Sequence, residues 1–197
     1  TDLIGYARVY SYNSAGSSWN SVGSDINGLK WRDKTGQSVS LSADGKVVAV
    51  SSVGFTIGGF GEAAGQVRIF QLSSGNWQQI GDDINGLPGD RSGSSLSLTA
   101  DGRTVAIGSP YHNHNGSNYT GTSRIYRFDN TQWNQVAEDL VGESRNDYSG
   151  NAVSISSDGS MVAVGAYLND GSGGNAGHVR VHRIHDPNKV QENEYQE

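Results

Sequence analysis

The chain has 197 residues, including 28 glycines and no cysteine, and its formal net charge is −6. This length predicts a single domain. The lack of cysteine excludes disulfides, thiolate zinc sites and cysteine nucleophiles. The acidic balance argues against nucleic-acid binding. The sequence contains no run of ~18 apolar residues of the kind that predicts insertion into a membrane. The glycine content, about twice the usual ~7%, indicates a fold with many tight turns.

The sequence repeats itself with a period of about 57 residues. A segment that alternates Val, Leu or Ile with Ser and ends in Asp-Gly occurs at 38–45, 95–102 and 152–159. Strict alternation predicts a β-strand, and Asp-Gly predicts a type I′ hairpin turn. A short apolar run follows each copy, which is typical of a strand buried on both faces.

Two further elements recur with the same period. A Gly-x-x-Arg segment begins at Gly5, Gly65, Gly121 and Gly177, and a tryptophan stands at positions 19, 77 and 133. Together the elements predict four antiparallel strands per repeat, named A to D in chain order, with D around the tryptophan. Four short strands per period are typical of a β-propeller blade. The predicted fold class is therefore an all-β, propeller-like array of about three and a half repeats.

The repeat boundaries divide the chain into five parts. These are a partial blade with a connection (1–35), two blades (36–92 and 93–149), a partial blade (150–185) and an acidic tail (186–197). The thirteen predicted strands are too few to close a propeller, which usually has ~4–8 blades. We therefore expect an open arc or a segment of a larger propeller. An open blade face is expected to bind another copy or another protein, and the acidic tail is expected to dock on a partner.

Five stretches follow one family pattern: 36–39, 108–110, 149–153, 164–167 and 177–181. Over about residues 5–184, these landmarks resemble the FG-GAP repeats of integrin-α-type β-propellers. The resemblance implies a secreted or cell-surface protein that binds other proteins, as in cell adhesion. The calcium loop of that family is shortened here to the Asp-Gly turn. One carboxylate cannot supply the ~6–8 oxygen ligands of calcium, so we expect no metal and no cofactor.

Residues that recur once per repeat are expected to have structural roles. The turn aspartates 44, 101 and 158 are suited to accept backbone N–H bonds, although a metal or acid role is the alternative. The strand-C arginines 8, 68, 124 and 180 are expected to stack on aromatic rings such as Trp77 or Trp133, with anion binding as the alternative. The repeated tryptophans are expected to pack between blades rather than to stack on sugars.

Residues that differ between repeats are the better candidates for function, because variable loops on a constant scaffold favour binding. In a propeller the B–C and D–A loops share one rim. The candidate binding residues on this rim are Trp31, Phe55, Phe60, Tyr111, His112, His114, Tyr119, Tyr167 and Asp170. His112 and His114 form a His-x-His pair, but two ligands without a third predict a metal only weakly.

The sequence contains no legible catalytic constellation. No Ser-His-Asp set, carboxylate pair or phosphate-binding loop is evident, and the chain is therefore predicted not to be an enzyme. The predicted function is a non-catalytic module for protein binding or assembly, secreted or at the cell surface. Two alternatives stay open. One is a structural subunit of a larger complex or polymer that docks through open blade faces. The other is a carbohydrate-binding or enzymatic propeller that uses Trp31 and the rim tyrosines.

Overall fold

The computed structural model of the chain describes residues 4–57 and 62–184. Phe60 and the predicted tail at 186–197 lie outside these ranges. Fifteen β-strands and no α-helix occupy the described ranges, and no helix there is suited to cross a membrane. The prediction of an all-β fold is confirmed.

The strands form four antiparallel sheets, numbered here in chain order. Sheet 1 contains β1 (Tyr6–Asn13) and β2 (Ser18–Asn27). Sheet 2 contains β3 (Thr35–Leu41), β4 (Val47–Ser52), β5 (Gln66–Ser73), β6 (Asn76–Gln79) and β7 (Ile84–Asn85). Sheet 3 contains β8 (Ser95–Leu98), β9 (Thr104–Ser109), β10 (Thr122–Phe128), β11 (Trp133–Gln135) and β12 (Leu140–Val141). Sheet 4 contains β13 (Ala152–Ile155), β14 (Met161–Ala166) and β15 (His178–Arg183).

The outer strand of sheets 2 and 3 is divided into two pieces. In sheet 2 both β6 and β7 pair with β5, and in sheet 3 both β11 and β12 pair with β10. Between β6 and β7, Gly81 has a φ of 68°, and a Cβ there would lie 2.7 Å from Cδ1 of Trp133. The backbone therefore leaves its regular path where the next sheet seats a tryptophan. This division explains why fifteen strands are found where thirteen were expected.

The Asp-Gly turns differ from the type I′ turn that the sequence predicts. Only the glycines, Gly45, Gly102 and Gly159, have positive φ, between 69° and 73°. In the first copy the Asp44 carboxylate accepts hydrogen bonds from the Ser42 hydroxyl at 2.7 Å and from the Lys46 amide at 2.9 Å. These bonds hold the pKa of Asp44 below its ordinary value, and the bond from Ser42 has the largest effect. These contacts fix a loop that is longer than a type I′ turn and contains one left-handed residue. They give Asp44 the structural role that was expected.

The core lies between the sheets, in three layers. Sheets 1 and 2 bury Ala7 and Ile26 against residues that include Val50 and Trp77. The other two layers join sheet 2 to sheet 3 and sheet 3 to sheet 4. Every residue of β4 is buried, as predicted for a strand covered on both faces. In β14 burial alternates, because only one face of sheet 4 is covered by another described sheet.

Two of the three repeated tryptophans, Trp77 and Trp133, pack between blades as predicted. Trp77 donates from Nε1 to the carbonyl of Val22 at 2.8 Å, and Trp133 donates to the carbonyl of Ile80 at 2.9 Å. Each of these two side chains thus bonds to the preceding sheet and is only 9% exposed. Trp19, which has no preceding sheet in the described chain, is 67% exposed.

The strand-C arginines also reach toward neighbouring chain segments, but the described contacts differ from the predicted stacking on Trp77 or Trp133. Arg68 lies over Phe70, with its guanidinium carbon 5.4 Å from the ring centroid, and it donates to the carbonyl of Asn27 at 2.7 Å. Arg8 binds Asp25 of its own sheet, and Arg180 binds Glu143. Carbonyl and carboxylate acceptors therefore position these side chains more than aromatic faces do.

Candidate functional site

Three buried aspartates organise the loops that lead from one sheet into the next. Asp33, Asp90 and Asp147, called here the anchor aspartates, are 2%, 3% and 1% exposed. Each carboxylate accepts a backbone N–H from its own loop: from Lys30 at 2.7 Å, from Leu87 at 3.2 Å and from Ser144 at 2.8 Å, respectively. These bonds close each loop over the boundary between two sheets. These three aspartates were not among the predicted residues, although they stand 57 residues apart.

Each anchor aspartate begins an Asp-x-Ser/Thr-Gly motif with an unusual backbone. The second residue is Lys34, Arg91 or Tyr148, with a φ of 54°, 48° or 53°. The glycine that ends the third motif, Gly150, has no room for a side chain, because a Cβ there would lie 2.3 Å from the carbonyl oxygen of Thr122. Left-handed backbone and close contact therefore fix the place of the variable second residue.

Tyr148 lies in a cluster of four tyrosines at the boundary between sheets 3 and 4. Tyr111 and Tyr119 come from the β9–β10 loop, and Tyr167 follows β14. Tyr119 and Tyr148 stack at 5.5 Å between ring centroids with 19° between their planes. Tyr111 meets Tyr148 edge to face at 5.5 Å, and Tyr167 packs on Tyr148 at 5.7 Å. Three loops thus assemble the group that we call the tyrosine cluster.

The tyrosine cluster is open to solvent and carries a positive charge at one side. Tyr119 and Tyr167 are 41% and 52% exposed. The guanidinium of Arg91 lies over the Tyr111 ring, 4.3 Å from its centroid, a favourable cation–π position. Burial and the neighbouring phenol groups raise the pKa of Tyr148. Its hydroxyl therefore stays protonated at neutral pH and can both donate and accept hydrogen bonds.

A buried polar group lies next to this cluster in the sequence. His112 contacts the Asp90 carboxylate from Nδ1 at 3.0 Å, and Arg124 donates to Asp90 at 3.2 Å and to Asp139 at 2.8 Å. Burial alone lowers the pKa of Arg124, but the contacts with Asp139 and Asp90 outweigh burial and leave the pKa raised. In the next repeat, Asn169 donates to Asp147 at 2.9 Å in the same manner.

The structure brings together three of the predicted binding residues and places the others elsewhere. Tyr111, Tyr119 and Tyr167 lie in the tyrosine cluster, to which the structure adds Tyr148 and Arg91. His112 is buried, and the exposed His114 has Nε2 2.9 Å from Nδ2 of Asn115. No group of three or more His, Asp or Glu side chains is placed to hold a metal ion within residues 4–57 and 62–184.

The remaining predicted residues are distributed over several loops. Trp31 is 58% exposed, with the guanidinium of Arg32 3.9 Å from its ring centroid. Phe55 is half-buried, and Lys30 lies over its ring at 5.2 Å. Asp170 accepts a hydrogen bond from the backbone of Asn175 at 2.6 Å. Among the described residues, no ring contact joins Trp31 or Phe55 to the tyrosine cluster.

The four sheets and their packing define the fold class, a β-propeller-like array, and solved structures share this fold. A protein assigned as a 6-phosphogluconolactonase from Bacteroides uniformis is 13% identical with a TM-score of 0.58, and the match covers 90% of this chain and 44% of that one. The periplasmic gluconolactonase PpgL of Pseudomonas aeruginosa is 19% identical with a TM-score of 0.53, over 89% and 45%. Hsv2 of Kluyveromyces lactis is 16% identical with a TM-score of 0.51, over 92% and 44%.

These comparisons bear on the fold and leave the family open. The chain spans less than half the length of each of the three structures. No protein-family model matches the chain, and no curated protein matches its sequence. The three similar structures are not integrin-type propellers, so the resemblance to FG-GAP repeats stays a prediction.

The prediction that the chain is not an enzyme is wrong. Two of the similar structures carry the names of lactonases, so propellers of this architecture include enzymes. The prediction relied on the absence of a familiar catalytic motif from the sequence. Side chains on separate loops can build the site of a propeller, and such a site leaves no contiguous motif in the sequence.

Proposed function

We propose that the tyrosine cluster is a binding site for a sugar-derived ligand on the rim of a β-propeller. The observation that carries the proposal is the convergence of Tyr111, Tyr119, Tyr148 and Tyr167 from three loops into one half-exposed group of rings. Loops that carry a convergent aromatic surface on a rigid scaffold are typical of ligand sites.

The chemistry of the cluster suits a polyhydroxylated carbon skeleton, either cyclic as in glucose or open-chain as in gluconate. The C–H groups of such a skeleton can pack on tyrosine rings, while its hydroxyl groups exchange hydrogen bonds with the phenol groups. Arg91 adds a cation at the edge of the cluster, next to Tyr111. A carboxylate or phosphate on the sugar would pair with this guanidinium. We therefore infer that sugar acids bind more tightly than neutral sugars.

The site is tested by calorimetric titration with D-gluconate and D-glucose. We expect Tyr119→Ala to weaken gluconate binding about 10-fold, equivalent to about 1.4 kcal/mol, because it removes one stacked ring. Tyr119→Phe, which keeps the ring and loses the hydroxyl, is expected to weaken binding less. Arg91→Gln is expected to reduce the preference for gluconate over glucose.

A matched aromatic control separates this site from other parts of the rim. Trp31→Ala removes an exposed ring from a different loop and is expected to leave gluconate binding unchanged. A loss of binding in Trp31→Ala with none in Tyr119→Ala would move the site to the β2–β3 loop. No heat of binding with either sugar would contradict the proposal.

Hydrolysis of a sugar lactone is a second candidate function, favoured by the contact between His112 and Asp90. The Nδ1 contact leaves Nε2 of His112 as the nitrogen that can accept a proton, and histidine is suited to this task near neutral pH. In such a reaction His112 takes a proton from water while the water oxygen attacks the lactone carbonyl. The ring C–O bond then breaks, and the proton passes to the departing alkoxide oxygen.

The His112→Asn variant tests this second function with little disturbance to the fold. The equivalent Asn169 already donates to an anchor aspartate, so asparagine is expected to keep the contact with Asp90. We expect the rate of acid release from glucono-1,5-lactone to fall at least 100-fold, with gluconate binding retained. A rate equal to that of the unaltered chain would assign His112 to loop anchoring alone.

We also propose that the chain works outside the cytoplasm. Two observations support this proposal: one structure that shares the fold is named a periplasmic protein, and the sequence resemblance implies secretion. Fractionation of cells that produce the protein from its full natural gene would test this, with recovery in the periplasm or medium expected.

A further inference from the structure

The outward face of sheet 4 is aliphatic and uncovered in the described chain. Val179 and Val181 on β15 are 70% and 61% exposed. Their counterparts one and two repeats earlier are buried: Val67 and Ile69 on β5 and Ile125 on β10 are each 0% exposed. Inside the array, the following sheet covers these positions. Sheet 4 therefore presents one half of a blade-to-blade interface, which we call the aliphatic end face.

The outward face of sheet 1 is aromatic and also uncovered. Tyr10, Tyr12 and Trp19 are 48%, 52% and 67% exposed, and the rings of Tyr12 and Trp19 pack together at 5.2 Å. The counterparts of these three residues in sheet 3 are Tyr126, Phe128 and Trp133. They pack on the core layer that contains Val67 and Ile69. Sheet 1 therefore presents the other half of the same interface, which we call the aromatic end face.

The two end faces match each other, because equivalent surfaces of sheets 2 and 3 already pack together inside the chain. Between sheets 2 and 3, the aliphatic face of one sheet meets the aromatic face of the next, and Trp133 is sealed to 9% exposure. Exposed apolar surface of this kind marks an interaction site. The internal repeat specifies both the chemistry and the direction of the contact.

We propose that the aliphatic end face of one copy of this chain binds the aromatic end face of a second copy, head to tail. The contact is heterologous, since two different surfaces meet, and such contacts build closed rings where the rotation permits and open chains otherwise. Arg8 lies on the aromatic end face, next to Tyr10. Its counterparts Arg68 and Arg124 each bond to the sheet or loop that precedes them, so Arg8 is placed to bond to the second copy.

The first test is the mass of the 197-residue chain, measured by light scattering on a sizing column over a range of concentrations. We expect a whole-number multiple of 20.9 kDa that is at least a dimer. Trp19→Glu and Val181→Lys are each expected to give the monomer mass. Both residues are exposed in the single chain, so neither change is expected to alter the circular dichroism spectrum. Gln78→Lys, at an exposed position of β6, is the matched control and keeps the original mass.

Mixing the two blocked variants tests the direction of the contact. Trp19→Glu retains an intact aliphatic end face, and Val181→Lys retains an intact aromatic end face. An equimolar mixture is therefore expected to form a species of twice the monomer mass, although each variant alone is monomeric. A mixture that stays monomeric overturns the head-to-tail contact. So does an unaltered chain of 20.9 kDa at every concentration, which would leave the end faces to another occupant such as residues outside the described ranges.

Discussion

Replacement of Trp133 by alanine is expected to lower the free energy of unfolding by about 3–5 kcal/mol. The indole lies in the core layer between sheets 2 and 3, beside Phe128 at 5.2 Å between ring centroids. It also donates from Nε1 to the carbonyl of Ile80. The substitution leaves a cavity that Gly81, with no side chain, cannot fill. Urea unfolding followed by circular dichroism measures the loss.

The control for this prediction is an exposed tryptophan that lies outside the three core layers. Trp31 is 58% exposed, so Trp31→Ala is expected to change the free energy of unfolding by less than about 0.5 kcal/mol. Gly81→Ala disturbs the same contact between sheets 2 and 3 by adding a side chain opposite Trp133. Its Cβ would meet Trp133 at 2.7 Å on a backbone with a φ of +68°. Equal losses for Trp133→Ala and Trp31→Ala would show that the tryptophan does not join the two sheets.

Replacement of Asp147 by alanine is expected to cost about 2–3 kcal/mol. The carboxylate is 1% exposed and accepts from the amides of Glu143 and Ser144 and from the side chain of Asn169. Alanine leaves the two backbone amides without this acceptor, and the Asn169 side chain keeps its bond to Glu143. Because Tyr148 follows directly, the same variant is expected to weaken gluconate binding at the tyrosine cluster as well.

Two variants test whether the loss comes from the buried hydrogen-bond acceptor or from a general change in the net charge. Asp147→Asn keeps one acceptor oxygen and is expected to retain part of the lost stability. Asp82→Ala removes an exposed carboxylate and is expected to stay within about 0.5 kcal/mol of the unaltered chain. Thermal unfolding measures stability, and calorimetry measures binding in the same samples. If Asp147→Ala is destabilised but binds gluconate as before, the anchor aspartate has no role in the proposed site.

The periodic sequence was sufficient to predict thirteen of the fifteen strands, because each of these strands carries its own signal. Alternation in β8 and the apolar run in β9 follow directly from the burial of one or both faces. The exposure of a repeated residue was not predictable in this way. Trp19 and Trp77 stand at equivalent positions, yet one is exposed and the other buried, since burial depends on whether a sheet precedes them.

The candidate site was predicted in part, for a related reason. Tyr111, Tyr119 and Tyr167 were found as aromatic residues of variable loops. Tyr148 was missed because it stands in a motif whose other residues serve the backbone. The anchor aspartates were also missed, because they lie between strands, where hydropathy gives no periodic signal. Their spacing of 57 residues, equal to that of the turn glycines, was the available clue.

The Asp-x-Ser/Thr-Gly motif separates the folding of a loop from its chemistry. The aspartate, the hydroxyl residue and the glycine set the backbone, and the second position holds Lys34, Arg91 or Tyr148 in nearly the same left-handed conformation. Exchanges among these three side chains therefore meet the same backbone requirement in every repeat. Successive blades can thus diverge in ligand preference through single substitutions at this position, while the backbone of the loop stays unchanged.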